Sequence, residues 1–187
     1  MKIIGYRRIV LSAVLLFSSS AAIFYGYQQY QEVYKGDIRT YVEERDKAFV
    51  MKQFKQYWYL LISSPDFDVD FVFSHRAPNK REPQYFGKMD IKVLFQGNDP
   101  VGFVAYYLKS PHQGEILFLV VDEAFRGKRY GEVLLKHAFD ALQKRGARVV
   151  KLVTRVENLA AQKLYVRMGF KEVERKYGFV YYRRELK

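Results

Sequence analysis

The chain has 187 residues, 49% of them hydrophobic, and a formal net charge of +12. That length allows one domain with a proper core plus an appendage, and the basic excess suits a polyanionic ligand, nucleic acid or an anionic surface without choosing among them. Cysteine is absent, His75, His112 and His137 are scattered without metal-ligand spacing, and no Gly-x-Ser-x-Gly elbow occurs, so disulfides, thiolate chemistry, a metal centre and a serine acyl-enzyme are not expected.

Residues 1–30 read as a separate object. Lys2, Arg7 and Arg8 precede residues 9–27, which are apolar or small and uncharged; at about 1.5 Å per residue they reach roughly 28 Å, about a hydrocarbon thickness. A single membrane span is expected, with a cleaved signal peptide as the alternative: residues 9–17 would form its apolar centre and Ser18-Ser19-Ser20-Ala21-Ala22 its cleavage region. Residues 31–36 form a connector, and the domain is expected over 37–187.

Residues 37–41 alternate in polarity like a short strand. A helix follows over 43–61, with Phe49, Val50, Phe54, Trp58 and Leu61 at helical spacing, and Ser63-Ser64-Pro65 ends it. Residues 66–88 read as loop, with at most one strand around 71–73. Strands over 91–95 and 101–108 flank Gly97-Asn98-Asp99-Pro100, a hairpin turn, and Pro111-His112-Gln113-Gly114 leads into Glu115 and an unbroken apolar run over 116–121. That run reads as a strand buried on both faces.

The next segment, Arg126-Gly127-Lys128-Arg129-Tyr130-Gly131, passes from strand to helix and is dense in backbone donors and basic side chains. The first N–H groups of a helix lack intrahelical partners and sit at the positive end of the macrodipole, so this turn is a diphosphate cradle. Val133, Leu134, His137, Ala138, Ala141 and Leu142 carry the helix on to Gly146. A strand over 149–153 comes next, Asn158 caps a helix through Met168, Gly169 stops it, and residues 170–174 and 179–183 form a closing hairpin.

This order, with its phosphate turn after the fourth strand, resembles the GNAT superfamily of acyl-CoA-dependent N-acyltransferases over residues 37–187. One family motif, Arg/Gln-x-x-Gly-x-Gly/Ala, matches residues 126–131. A second, Asn-x-x-Ala-x-x-Leu-Tyr-x-x-x-Gly-Phe, matches Asn158, Ala161, Leu164, Tyr165, Gly169 and Phe170. The resemblance implies an α/β fold: a mixed central sheet of about seven strands with flanking helices, splayed between the fourth and fifth strands. It also implies acetyl-CoA as co-substrate, an amine acceptor and no metal.

Residue by residue, the resemblance implies that Leu119, Val120 and Val121 pair with the pantetheine arm, with an N–H at Val120 or Val121 facing the developing oxyanion. Arg126, Gly127, Lys128, Arg129, Tyr130, Gly131 and Asn158 would hold the cofactor. Tyr165 would protonate the leaving thiolate. Glu115, fourteen residues before Arg129, matches a glutamate that many members use as base; His112 is the reserve. Arg129 stands where the family usually has glycine, so its side chain must point away or engage a phosphate.

Two further classes stay open on the residues alone: a non-catalytic acyl-CoA sensor, and a membrane-tethered basic module for anionic lipid or nucleic acid, to which Tyr181-Tyr182-Arg183-Arg184 points, although such a run on a terminal strand is more often a solvated edge. An N-terminal span would sit with its basic end inside, whereas the domain is expected to need cytoplasmic acetyl-CoA; export after signal cleavage is the other location weighed. Residues 66–90 are expected to border the acceptor site.

Overall fold

Turns that the sequence marks set the strand pairings. A computed structural model describes residues 36–62 and 89–186. In chain order these form β1 (Asp37–Thr40), helix α1 (Glu43–Leu61), β2 (Asp90–Gln96), β3 (Asp99–Ser110) and β4 (Gln113–Val121). A short 3-10 turn (Glu123–Phe125), α2 (Tyr130–Lys144), β5 (Val149–Arg155), α3 (Leu159–Arg167), β6 (Lys171–Lys176) and β7 (Phe179–Glu185) follow. The strands make one mixed sheet in the order β1-β2-β3-β4-β5-β7-β6. Hairpins make neighbours antiparallel, while the crossover through α2 makes β4 and β5 parallel.

One sheet face is covered by α1. Val50 and Phe54 pack with Ile91, Val93, Phe103, Ala105, Phe118 and Val120, and the Phe54 ring meets Phe118 edge-on at 4.8 Å. On the other face α2 buries Leu134, Leu135, Ala138 and Leu142. Each of these buried leucines is worth about 2 kcal/mol of transfer free energy. The apolar stripe of α2, at the period of one helix face, is therefore what holds it to the sheet.

Two irregularities shape the centre. Between β3 and β4 the register passes from Ala105↔Phe118 to Tyr106↔Ile116, leaving Leu117 as a bulge. Pairing of β4 with β5 ends at Ile116↔Leu152, although both strands run on, so residues 117–121 and 153–155 diverge and leave a slot. The expected splay between the fourth and fifth strands is present. The expectation that the apolar run at 116–121 is buried on both faces is corrected: Leu117, Leu119 and Val121 are only half-buried, the last two because the slot opens beside them.

Among the described residues, no helix is long and apolar enough to cross a membrane. The membrane-associated location expected from a span is corrected accordingly; residues 9–27, on which the span and the signal-peptide alternative were read, lie outside the described residues. The expected loop over 66–88 and its strand at 71–73 lie outside them as well.

Candidate active site

Where β4 ends, Asp122 starts the turn. Its Oδ1 accepts from the Ala124 amide at 3.1 Å and its Oδ2 from Gln53 Nε2 at 2.8 Å. Burial would raise the Asp122 carboxyl, but the bonds from Ala124, Gln53 and Lys52 outweigh it and hold it below the usual range. The amides of Phe125 and Arg126 close back on Asp122 and Glu123 at 2.9 and 3.2 Å. From there the bonding stops: the amides of residues 127–131 meet no acceptor among the described residues. The first internal bond beyond them runs from the Glu132 amide to the Arg129 carbonyl at 2.9 Å. Five successive donors at the head of a 15-residue helix are thus unspent.

Two glycines permit this. Gly127 has φ of +80° with open space around it, a left-handed conformation that glycine adopts at no steric cost. At Gly131 a Cβ would stand 2.9 Å from Leu164 Cδ2, so a larger residue would have to push that side-chain end aside where α3 meets α2. Arg129 is left-handed too, at φ 60° and ψ 14°, a conformation costing a non-glycine residue about 1–2 kcal/mol.

A cavity of about 310 Å³ opens beside this turn. Leu119, Val120 and Val121 line it from β4, Arg126, Gly127, Arg129, Tyr130 and Gly131 from the turn, and Asn158 and Tyr165 from α3. Ten of the twelve expected site residues therefore converge on one space. Lys128 and Glu115 are not among its walls. Lys128 lies over the Phe125 ring at 5.3 Å, outside the cavity.

Tyr165 is buried against Phe170 and Tyr182, at ring distances of 5.8 and 5.6 Å. Burial and the neighbouring Tyr182 push its phenol up, so it carries its proton across the neutral range. Asn158 Oδ1 accepts from the Ala161 amide at 3.3 Å, so it caps α3 while facing the cavity. Arg126 Nε donates to the Val121 carbonyl at 3.2 Å, and its guanidinium lies over the Tyr57 ring at 4.6 Å.

Glu115 lies on the face covered by α1, opposite Tyr107, with Lys109 Nζ 2.7 Å from its carboxylate. The bulge at Leu117 sends it there; without the extra residue, Glu115 would share the face of Leu119 and Val121. It stands at the root of the slot, in the last stretch where β4 and β5 are still paired. His112, the reserve base, is corrected: it sits in the turn before β4, at the end away from the cavity, its Nδ1 3.4 Å from the Gly146 carbonyl.

Sequence reasoning missed the third wall. Tyr57, Leu60 and Leu61 of α1 also line the cavity, beyond a kink at Tyr57 (φ −120°, ψ 22°). Their spacing of three and four residues was the available signal. Among the described residues, no group of three or more His, Asp or Glu side chains is placed to hold a metal.

A mixed sheet split beside a run of free helix-head amides defines an α/β protein built to hold a phosphorylated, elongated ligand. The family model for the acetyltransferase (GNAT) family matches residues 41–170, and the chain belongs to that family of acetyltransferases. It is similar to an uncharacterized N-acetyltransferase of Methanocaldococcus jannaschii, 40% identical over 81 residues, covering 40% of this chain and 36% of that one. It is also similar to the mycothiol acetyltransferase of Corynebacterium glutamicum, 28% identical over 101 residues, 54% of this chain and 35% of that one. The chain thus spans about a third of the length of these curated relatives. Among solved structures, the PaiA N-acetyltransferase of Thermoplasma acidophilum in complex with coenzyme A superposes with a TM-score of 0.62 at 17% identity, covering 81% of this chain and 99% of that one. A GNAT-family acetyltransferase of Staphylococcus aureus gives 0.64 at 18%, with the same coverage.

Proposed function

We propose that the chain transfers an acetyl group from acetyl-CoA to an amine by direct attack. The observation that carries this is the run of unspent amides at residues 127–131 opening beside the slot. Those amides hold the diphosphate, and Arg126 and Arg129 add charge around it. The edge of β4 at Leu119, Val120 and Val121 aligns the pantetheine arm, so the thioester enters the slot where the strands part.

The amine approaches from the α1 side. Glu115, directly or through one water, takes a proton from the ammonium, and the freed nitrogen attacks the thioester carbonyl. The amide of Val120 or Val121 supports the oxyanion. As the C–S bond breaks, Tyr165 gives its phenolic proton to the thiolate; the nitrogen sheds its second proton to the phenolate, directly or through water, which restores Tyr165, and Glu115 releases its proton to solvent as the amide product and CoA leave. Tyr165 lines the cavity with its proton in place, and Glu115 stands at the root of the slot beside Lys109.

Thermal-shift titration with acetyl-CoA tests the reading. Ligand at about a hundred times its Kd stabilises a fold by about 2.7 kcal/mol, so a clear rise in Tm is expected; no shift at millimolar acetyl-CoA overturns it.

A further inference from the structure

The slot has two mouths. One opens on the cavity, which α2, α3 and the last turns of α1 wall; the other opens farther down the α1-side face of the sheet, at Glu115. Strand register places a row of side chains on that second side: Tyr107, Glu115, Lys151, Arg183 and Lys171 occupy directly opposed positions on β3, β4, β5, β7 and β6. Neighbouring strands are about 4.8 Å apart, so Lys151 stands one strand from Glu115. The next positions along β5 on this face are Val153 and Arg155. Val153 is 43% exposed and Lys151 is exposed, and among the described residues only the last turn of α1 reaches over this part of the sheet. There Arg155 is held between the rings of Tyr59 and Phe179, at 4.1 and 4.8 Å.

Charge on this face is unbalanced. The carboxylates of its strands already have cations: Glu115 has Lys109 at 2.7 Å, Glu174 has Lys176 at 2.7 Å and Glu185 has Arg183 at 2.6 Å, while Glu157, just past β5, accepts from the Tyr59 hydroxyl at 3.5 Å. Among the described residues Lys151, Lys171 and Arg155 have no carboxylate partner and the buried Arg155 Nε has no hydrogen-bond partner. An amine bound at Glu115 therefore has an unpaired ammonium one strand away.

Resting on the transferase reading above, we propose that the open α1-side face of β5 and β7 receives the acceptor, and that Lys151 selects amines carrying a carboxylate a few bonds from the reacting nitrogen. The carboxylate sits toward Lys151 while the amine faces Glu115 and the slot. Lys151 is a specificity residue; it touches neither the thioester nor the diphosphate turn. A free amino acid and a chain beginning with an acidic residue both present this chemistry.

The test measures CoA release at saturating acetyl-CoA for two matched pairs: glycine against glycinamide, and C-terminally amidated tetrapeptides beginning with Asp against Asn. An exposed ion pair supports a preference of about fivefold. We expect that preference for the anionic member of at least one pair, carried by KM, and the responding pair identifies the source. Lys151→Glu should reverse it and Lys151→Met abolish it, both with an unchanged KM for acetyl-CoA. The inference is overturned if the neutral members match or exceed the anionic ones, if neither pair is acetylated, or if the preference survives Lys151→Glu. Acetyl-CoA binding, followed separately by thermal shift, distinguishes the failures: binding without the acidic preference sinks this inference alone, and no binding sinks the transferase reading beneath it.

Discussion

The two mouths of the slot are built from different materials. On the cavity side the work falls to main chain: free amides at residues 127–131 and the edge of β4, with side chains such as Gly131 chosen for what they leave out. On the α1 side the proposed work falls to side chains, with Glu115 and Lys151 standing in register on adjacent strands. Main-chain recognition tolerates sequence change everywhere except at the glycines, since every residue brings the same N–H. Side-chain recognition is altered by a single substitution. The first half suits a ligand that does not vary, the second an acceptor that does.

That contrast breaks most sharply at the residue proposed to act on the leaving group. Tyr165→Phe should lower kcat by about a hundredfold or more while leaving acetyl-CoA affinity and Tm nearly unchanged, because its hydroxyl makes no hydrogen bond to the described protein. Steady-state kinetics beside a melting curve checks this; a parallel fall in Tm would make the tyrosine merely core. Arg129 comes next. Replacing it with glycine relieves a left-handed φ of 60° and should stabilise the fold by up to about 1 kcal/mol, the unfolded chain's added freedom taking back part of the gain. If the guanidinium contacts a phosphate, the same variant should bind acetyl-CoA about tenfold more weakly. Stability rising with affinity unchanged would show that the side chain points away. The reversal of acceptor preference at Lys151 is the smaller, roughly fivefold effect already described.

The smallest expected effect lies behind the turn, at Asp122. Its folded carboxyl is held below the ordinary range, so its stabilisation is present above the unfolded pKa of about 4 and is lost as pH falls through the lower folded value. Asp122→Asn should be less stable than the parent at neutral pH by about 1 kcal/mol, the scale of one net hydrogen bond. The gap should close on acidification. Melting temperatures of both proteins between pH 7 and 2.5 measure it, and a gap that stays constant with pH would refute the assignment.

Much of the cavity side was legible in the sequence, because its determinants are local. A turn with Gly127 and Gly131 before an apolar helical stripe must present helix-head amides, and Asn158 three residues before Ala161 must cap the next helix. The element order was legible for the same reason, since each hairpin and cap is written in a few adjacent residues. The contribution of Tyr57, Leu60 and Leu61 was not, because a helical stripe reveals that it is buried without revealing against what. Nor was the destination of Glu115: its face turns on the bulge at Leu117, and a bulge is a relation between two strands rather than a property of one.

The chain's own order of residues determined which segments become helix or strand, where donors are left unspent, and that the fourth and fifth strands should part. Only the folded sheet decided how far they stay paired, which way Glu115 faces, and that Lys151 becomes its neighbour. The physical reason is range. Caps, turns and periodicity act over one or two turns of chain, whereas register joins Tyr107, Glu115, Lys151, Arg183 and Lys171 across strands far apart in sequence, and burial against α1 and α2 selects that register.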